Sequence, residues 1–367
     1  MKRIKLSSTF QKCVFSLLVI FTSCTPKDRY IAIQGYAQGG TYSVKLNLVG
    51  RNGKVKVAPE KIKETIDSIF TAVDTTLSGY NKGSMLSRLN AGKKIRPNRM
   101  LEDIYAKSYG FWKETDGALD VAAAPLFDHW GFGFTTDSMP SKDVIARLLA
   151  SVGMKRLKPT IEEALDSGGM LDPQNMLNVG SDSNKYPLEN PELNFNAVAQ
   201  GYTCDIIAAY LHKIGVKDML VDIGEIYCEG LNPEGKPWTV GVDRPTDGNE
   251  TPGKDMDGIW QADGKPCGIV TSGNYRKYYI RDGKKYAHTI DPRTGYPVQE
   301  SLLSATIVAN DATSADAYAT YCMVIGLEKA KEFIKSRPDE LNGYLIYDDG
   351  GAMKEWRSKG FNLIKGD

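Results

Sequence analysis

Hydrophobic and polar positions follow two different periods in different stretches of this chain. Over 41–49, "TYSVKLNLV" changes side-chain type at nearly every step, as a strand with one buried face does. Over 59–78, "PEKIKETIDSIFTAVDTTLS" shifts to helical spacing, with Ile62, Ile66, Phe70, Val73 and Leu77 on one face. A second helix is predicted through "MLEDIYAKSYGFWKETDG", stopping near Gly117. Residues 160–192 are polar and rich in Gly, Pro, Asn and Asp, which predicts an irregular insertion.

The same alternation continues to the end. "CDIIAAYLHKIG" predicts a helix with Ile206, Ile207, Tyr210, Leu211 and Ile214 as its apolar stripe, a stop at Gly215, and the strand "DMLVDIG" after it. His212 falls beside that stripe near the C-terminal end, where an imidazolium is favoured, and reads as a surface residue. "WTVGVDRP", "PCGIVTSG" and "LLSATIVAN" read as strands, "SADAYATYCMVIG" and "LEKAKEFIKSR" as helices, and "LNGYLIYDD" as a closing strand. Without a repeat or a barrel cadence, this interleaving predicts a mixed α/β (α+β) fold: a large mixed sheet with flanking helices.

The 367-residue length allows two or three domain-sized units or one elaborated domain. Lys+Arg 46 against Asp+Glu 45 leaves a formal charge of +1. A nucleic-acid partner is excluded on this balance, because phosphate-backbone binding needs concentrated positive charge. The start differs from the rest: "MKRIKLSSTFQKCVFSLLVIFTSC" has a basic head, an apolar run from Cys13 to Phe21, then small residues and Cys24. That run suits a signal peptide and is too short to span a bilayer. Residues 1–23 therefore read as a bacterial lipoprotein signal, with Cys24 the lipidated first residue of an exported, membrane-anchored chain, or as a plain secretory peptide. The remaining Cys204, Cys228, Cys267 and Cys322 lie in apolar contexts without metal-ligand spacing and read as buried thiols.

Four segments carry possible chemistry. "LSGYNKGSMLSRLN" (77–90) places Tyr80 and Asn81 on a turn between helices, where a tyrosine can stack on a planar ring; a capped helix-turn-helix explains it equally. "NAVAQGYTCD" (196–205) reads as a strand turning through Gly201 into a helix, whose first N–H groups suit phosphate. In "IVTSGNYRKYYI", Thr271 and Ser272 precede Arg276, a cation able to pair with phosphate. In "NDATSADAYATYCM", Asp316 and Thr320 are four apart on a predicted helix, so a carboxylate and a hydroxyl share a face and could hold a hard cation. His288, one of three histidines, precedes the turn "DPRTG", in which Pro292 fixes φ and Gly295 permits φ > 0.

Taken in order, "GGTYSV", "LSGYNKGSMLSRLN", "TDGALDVAAAPL", "AVAQGYTCD", "VTSGNYRKYY", "HTIDPRTGYP" and "ATSADAYATYCMVIG" resemble the ApbE family of FAD:protein FMN transferases over most of 30–350. The resemblance implies one two-lobed transferase domain over 24–367, with a flavin cleft between its lobes. It implies Mg²⁺-dependent transfer of the FMN half of FAD to a threonine or serine hydroxyl of an exported or membrane-bound redox protein, through a phosphoester bond, with release of AMP. Residue by residue, it implies metal binding by Asp316, Thr320 and the Ala197 carbonyl, and a role in transfer for His288. It implies an adenine-side contact at Tyr80 and Asn81, and cleft positions at Gly201, Asp205, Thr271, Ser272 and Arg276. The chain departs from the family at Gln200, where lysine is common, at "VDIGEIY", which has one glycine before Glu225, and at "GGT" (39–41). An FAD pyrophosphatase giving FMN and AMP, or a non-catalytic lipid-anchored flavin-binding protein, would use the same cleft.

Overall fold

A computed structural model describes residues 29–365 apart from 51–52, 134–138, 179–189, 247, 250, 252, 276–277 and 282–283. The signal segment, Cys24 and Arg276 therefore lie outside the described residues.

Eight strands make the main sheet: β1 (Tyr30–Ala37), β2 (Gly40–Asn47), β3 (Met219–Asp222), β4 (Ile226–Glu229), β5 (Cys267–Gly273), β6 (Leu302–Ala309), β7 (Asn342–Asp349) and β8 (Ala352–Arg357). They lie side by side in chain order, and every pairing is antiparallel. The fold class holds, but the sheet is wholly antiparallel where the sequence predicts a mixed one. Each excursion returns the chain beside the strand it left and running the other way. The predicted closing strand, β7, is followed by β8, a charged edge strand exposed along most of its length.

Helices fill the excursions: α1 (Pro59–Leu77), α2 (Met85–Asn90), α3 (Arg99–Glu114), α4 (Ala124–His129), α5 (Lys142–Ser151) and α6 (Ala199–Lys213) between β2 and β3, then α7 (Ala312–Ile325) and α8 (Leu327–Lys335) between β6 and β7. The predicted stripe of α1 is buried at all five positions, and Pro59 supplies its N1 residue. It packs with α6 on β1–β3 through Val44, Leu46, Ile207, Leu211 and Val221. The irregular stretch forms short 3₁₀ turns whose Ile161, Ala164, Leu171 and Met176 enter the largest core beside Leu101 and Ile104. A few spaced apolar residues thus make a polar-looking segment a wall of the core.

Strand alternation divides β5 and β6 between two cores. Val270, Ala305, Ile307 and Ala309 face α7 in the largest core. Cys267, Ile269 and Val308 face the opposite way, under Trp238, Trp260 and Phe361. That second core is covered by a three-stranded sheet of Thr239–Asp243, Met256–Gln261 and Leu363–Ile364. Among the described residues, no helix is long and apolar enough to cross a membrane.

Candidate active site

The crossing of α6 and α7 is closed by glycine. A Cβ at Gly201 would stand 2.2 Å from the Ala312 carbonyl oxygen and 2.9 Å from Asp316 Cβ. On the sheet side, a Cβ at Gly268 would stand 2.3 Å from Ala312 Cα. Two missing side chains therefore seat the first turn of α7 between α6 and β5. Contrary to the sequence reading, no strand precedes this point: 196–198 is a turn and Gly201 lies inside α6. Its N–H is not open to a phosphate, because it donates to Asp316 Oδ2 at 3.1 Å.

Gly201 is the third residue of α6, so its N–H is one of the donors a helix N-terminus leaves without an intrahelical partner, and Asp316 supplies the acceptor. Ala197 stands just before the N-cap Val198, and among the described residues no backbone N–H donates to its carbonyl. Asp316 is only 5% exposed. Burial, and after it the nearby Glu225, hold its carboxyl well above the usual carboxylate range.

Thr320, one turn on, lies with its hydroxyl 3.3 Å from Ser272 Oγ on β5. Ser272 therefore belongs to the α7 face of the sheet. Thr271 does not: its hydroxyl pairs with Thr306 Oγ1 at 2.8 Å, on the face of Ile269 and Val308. Adjacent strand residues point to opposite faces, so the two cannot both line one cleft. Asp205 also has a structural task. Its carboxylate accepts the Ala312 and Thr313 N–H groups at 2.9 Å each and bonds the Thr313 hydroxyl, which clamps α6 to the start of α7. Burial pushes its pKa up to about 6 despite those donors.

The His288 segment is anchored at several points. Thr289 Oγ1 donates to Asn274 Oδ1 at 2.6 Å, just past the end of β5. Asp291 accepts both Nε and Nη2 of Arg293, at 2.9 and 2.8 Å, and its carbonyl takes the Gly295 N–H at 2.8 Å. Gly295 has φ +77°, and a Cβ there would meet Ile145 at 2.6 Å. Its carbonyl accepts Trp130 Nε1 at 2.8 Å. The His288 ring sits edge-on to Phe132, centroids 6.5 Å apart. Beyond the turn opens a cleft of about 530 Å³, lined by Pro292 and Arg293 on one side and by Trp112, Asp116 and Asp120 on the other. The "TDGALD" segment runs along this cleft through Asp116, Gly117 and Asp120. Asp120, half-buried at the cleft wall, accepts the Ala122 and Met154 N–H groups, and its partial burial pushes its pKa up to about 6.

Tyr80 is 67% exposed on the turn between α1 and α2. Asn81 shapes that turn, donating to Asp74 Oδ2 at 2.6 Å and accepting from Gly83 N at 3.0 Å. His212, read as a plain surface residue, is half-exposed but touches Glu229, a buried acid on β4 to which the Tyr227 hydroxyl also donates. Pattern alone could not show that partner, because it arrives from the next strand.

Among the described residues, no three His, Cys, Asp or Glu side chains gather as a metal cluster. The oxygens the sequence singles out here are instead the Asp316 carboxylate and the Thr320 hydroxyl, one turn apart on α7, and the Ala197 carbonyl just before α6. This donor set suits a hard divalent cation.

Comparisons with known proteins bear on the family and the fold. The sequence profile of the ApbE family matches residues 39–345. The chain is 33% identical to the FAD:protein FMN transferase of Escherichia coli K12, covering 82% of this chain and 81% of that one. It is 30% identical to the protein of the same name from Haemophilus influenzae, covering 92% and 93%. The solved apo structure of the Pseudomonas stutzeri flavinyl transferase ApbE superposes with a TM-score of 0.72 at 28% identity, over 90% of this chain and 95% of that one. With the motifs in order and the fold shared along nearly the whole length, the chain belongs to the ApbE family.

Proposed function

We propose that this protein transfers the FMN moiety of FAD to a threonine or serine hydroxyl of a target protein, in a Mg²⁺-dependent reaction that releases AMP. The observation that carries the reading is the α6–α7 crossing, where the buried Asp316 takes the Gly201 N–H one turn before Thr320, whose hydroxyl meets Ser272. Asp316, Thr320 and the Ala197 carbonyl would hold the ion, which when bound would polarise the oxygens of the FAD pyrophosphate. Tyr80 and Asn81 would receive the adenine end of FAD.

His288 would take the proton of the acceptor hydroxyl. The hydroxyl oxygen then bonds the phosphorus on the flavin side of the pyrophosphate. The bond from that phosphorus to the bridging oxygen breaks, and AMP leaves carrying that oxygen. Neutral imidazole suits this step, since its ordinary pKa lies near neutrality. Asp291 acts indirectly, by fixing Arg293 and the turn that carries His288.

The N-terminal pattern supports export and attachment through a lipid on Cys24, which would place the enzyme beside an exported or membrane-bound redox protein as acceptor. The test is incubation of the purified protein with FAD and Mg²⁺, with and without such an acceptor. Transfer predicts an acceptor heavier by one FMN and AMP released in equal amount. AMP and free FMN with no labelled acceptor would instead make the protein a pyrophosphatase.

A further inference from the structure

Cys228 on β4 and Cys267 on β5 are register partners across the antiparallel pair, and their sulfurs lie 3.7 Å apart. The other described cysteines differ. The Cys204 sulfur meets the Val221 and Glu225 carbonyls, and Cys322 is buried on α7. Residues directly opposed on antiparallel strands have the Cα spacing that a disulfide spans.

Their place in the chain gives the pair a meaning. Between them run residues 230–266, which leave β4, form Thr239–Asp243 and Met256–Gln261 of the covering sheet, and return into β5. The two thiols stand at the root of this excursion, where both ends enter the main sheet. We infer that Cys228 and Cys267 form an intramolecular disulfide when the chain folds in the presence of a small-molecule disulfide, clipping the root of the excursion. The two thiols lose two protons and two electrons as the S–S bond forms, and the small disulfide is reduced to two thiols. An exported protein meets such oxidising conditions.

The bond forms while the chain folds and not in the already folded protein. Cys228 is fully buried and Cys267 nearly so, beneath Trp238 and Trp260. The contact with Cys267, and burial after it, hold the Cys228 thiol well above its usual range, so the folded chain offers little thiolate for exchange. Closing a long loop restricts the unfolded chain, so oxidation should raise the melting temperature. The inference does not depend on the transferase reading.

The experiment refolds the full chain from denaturant, once in dithiothreitol and once in a mixture of reduced and oxidised glutathione. Free thiols are then alkylated under denaturing conditions and the peptides mapped by mass. The expected result in glutathione is a linked peptide joining Cys228 to Cys267, two fewer alkylated thiols, and a melting temperature a few degrees higher. Cys228→Ser should abolish all three changes, and the double variant Cys204→Ser/Cys322→Ser should keep them. Alkylation of both Cys228 and Cys267 after oxidative refolding would overturn the inference. So would linkage of either one to a different cysteine.

Discussion

The backbone N–H of Gly201, third residue of α6, donates to the Asp316 carboxylate of α7 at 3.1 Å. A donor that every helix N-terminus leaves over is satisfied by the side chain of another helix. Gly201→Ala should therefore act at two levels. Its methyl would meet the Ala312 carbonyl at 2.2 Å, an overpacking that destabilises by about 1–3 kcal/mol. Parting the helices should also raise the Mg²⁺ concentration needed for half-maximal transfer. Thermal melts and a Mg²⁺ titration check both, and a wild-type titration curve would separate this crossing from the metal.

Asp316→Asn keeps an acceptor for the Gly201 N–H and removes the charge. Burial raises the folded-state pKa of Asp316 above its unfolded value, so ionisation weakens the native state as pH rises. Without metal at neutral pH, the Asn variant should melt no lower than wild type. Added Mg²⁺ should then raise the melting temperature of wild type only, because only wild type keeps the charged ligand. Equal stabilisation of both proteins by Mg²⁺ would disprove the assignment.

Ser272 and Thr271 offer a neighbouring pair with opposite expected phenotypes. Ser272→Ala removes the hydroxyl that meets Thr320 and should weaken Mg²⁺-dependent transfer with little change in stability. Thr271→Val leaves the buried Thr306 hydroxyl unpaired, which costs about 1–3 kcal/mol, and should leave activity per folded molecule unchanged. Melting curves beside transfer rates distinguish them.

His288→Asn should still bind FAD while transfer falls by about 10²–10⁴-fold, the range for a lost acid–base group. In wild type, the rate should rise with pH through the histidine's titration, since only neutral imidazole accepts the proton. A rate that falls over that range would make His288 a cationic phosphate ligand instead.

Asp120 governs a pH effect on stability. Its folded-state pKa of about 6 lies above the ordinary 3.8. Its contribution is therefore fully present below the ordinary value and lost as pH rises through about 6. The loss amounts to about 2–3 kcal/mol. Asp120→Asn should flatten the fall in stability across that interval, whatever constant offset the substitution adds. Denaturant titrations at several pH values, for both proteins, measure the difference in slope.

Much of this protein was legible along the chain, because the signals concerned are local. The stripe of α1 from Ile62 to Leu77, the i, i+4 placement of Asp316 and Thr320, and the turn at Pro292–Gly295 each depend on residues a few positions apart. Their ordered motifs sufficed for the family. What the tertiary structure alone decided involves distant partners. Gly201 reads as a turn residue until α7, 115 positions away, takes its N–H. The clamp that Asp205 puts on the first turn of α7 appears only once that helix is in place. His212 is exposed as the sequence reads it, but its partner Glu229 appears only when β4 comes alongside. In each case a backbone or side-chain group has to find a partner once buried, and no local pattern says which distant element will supply it.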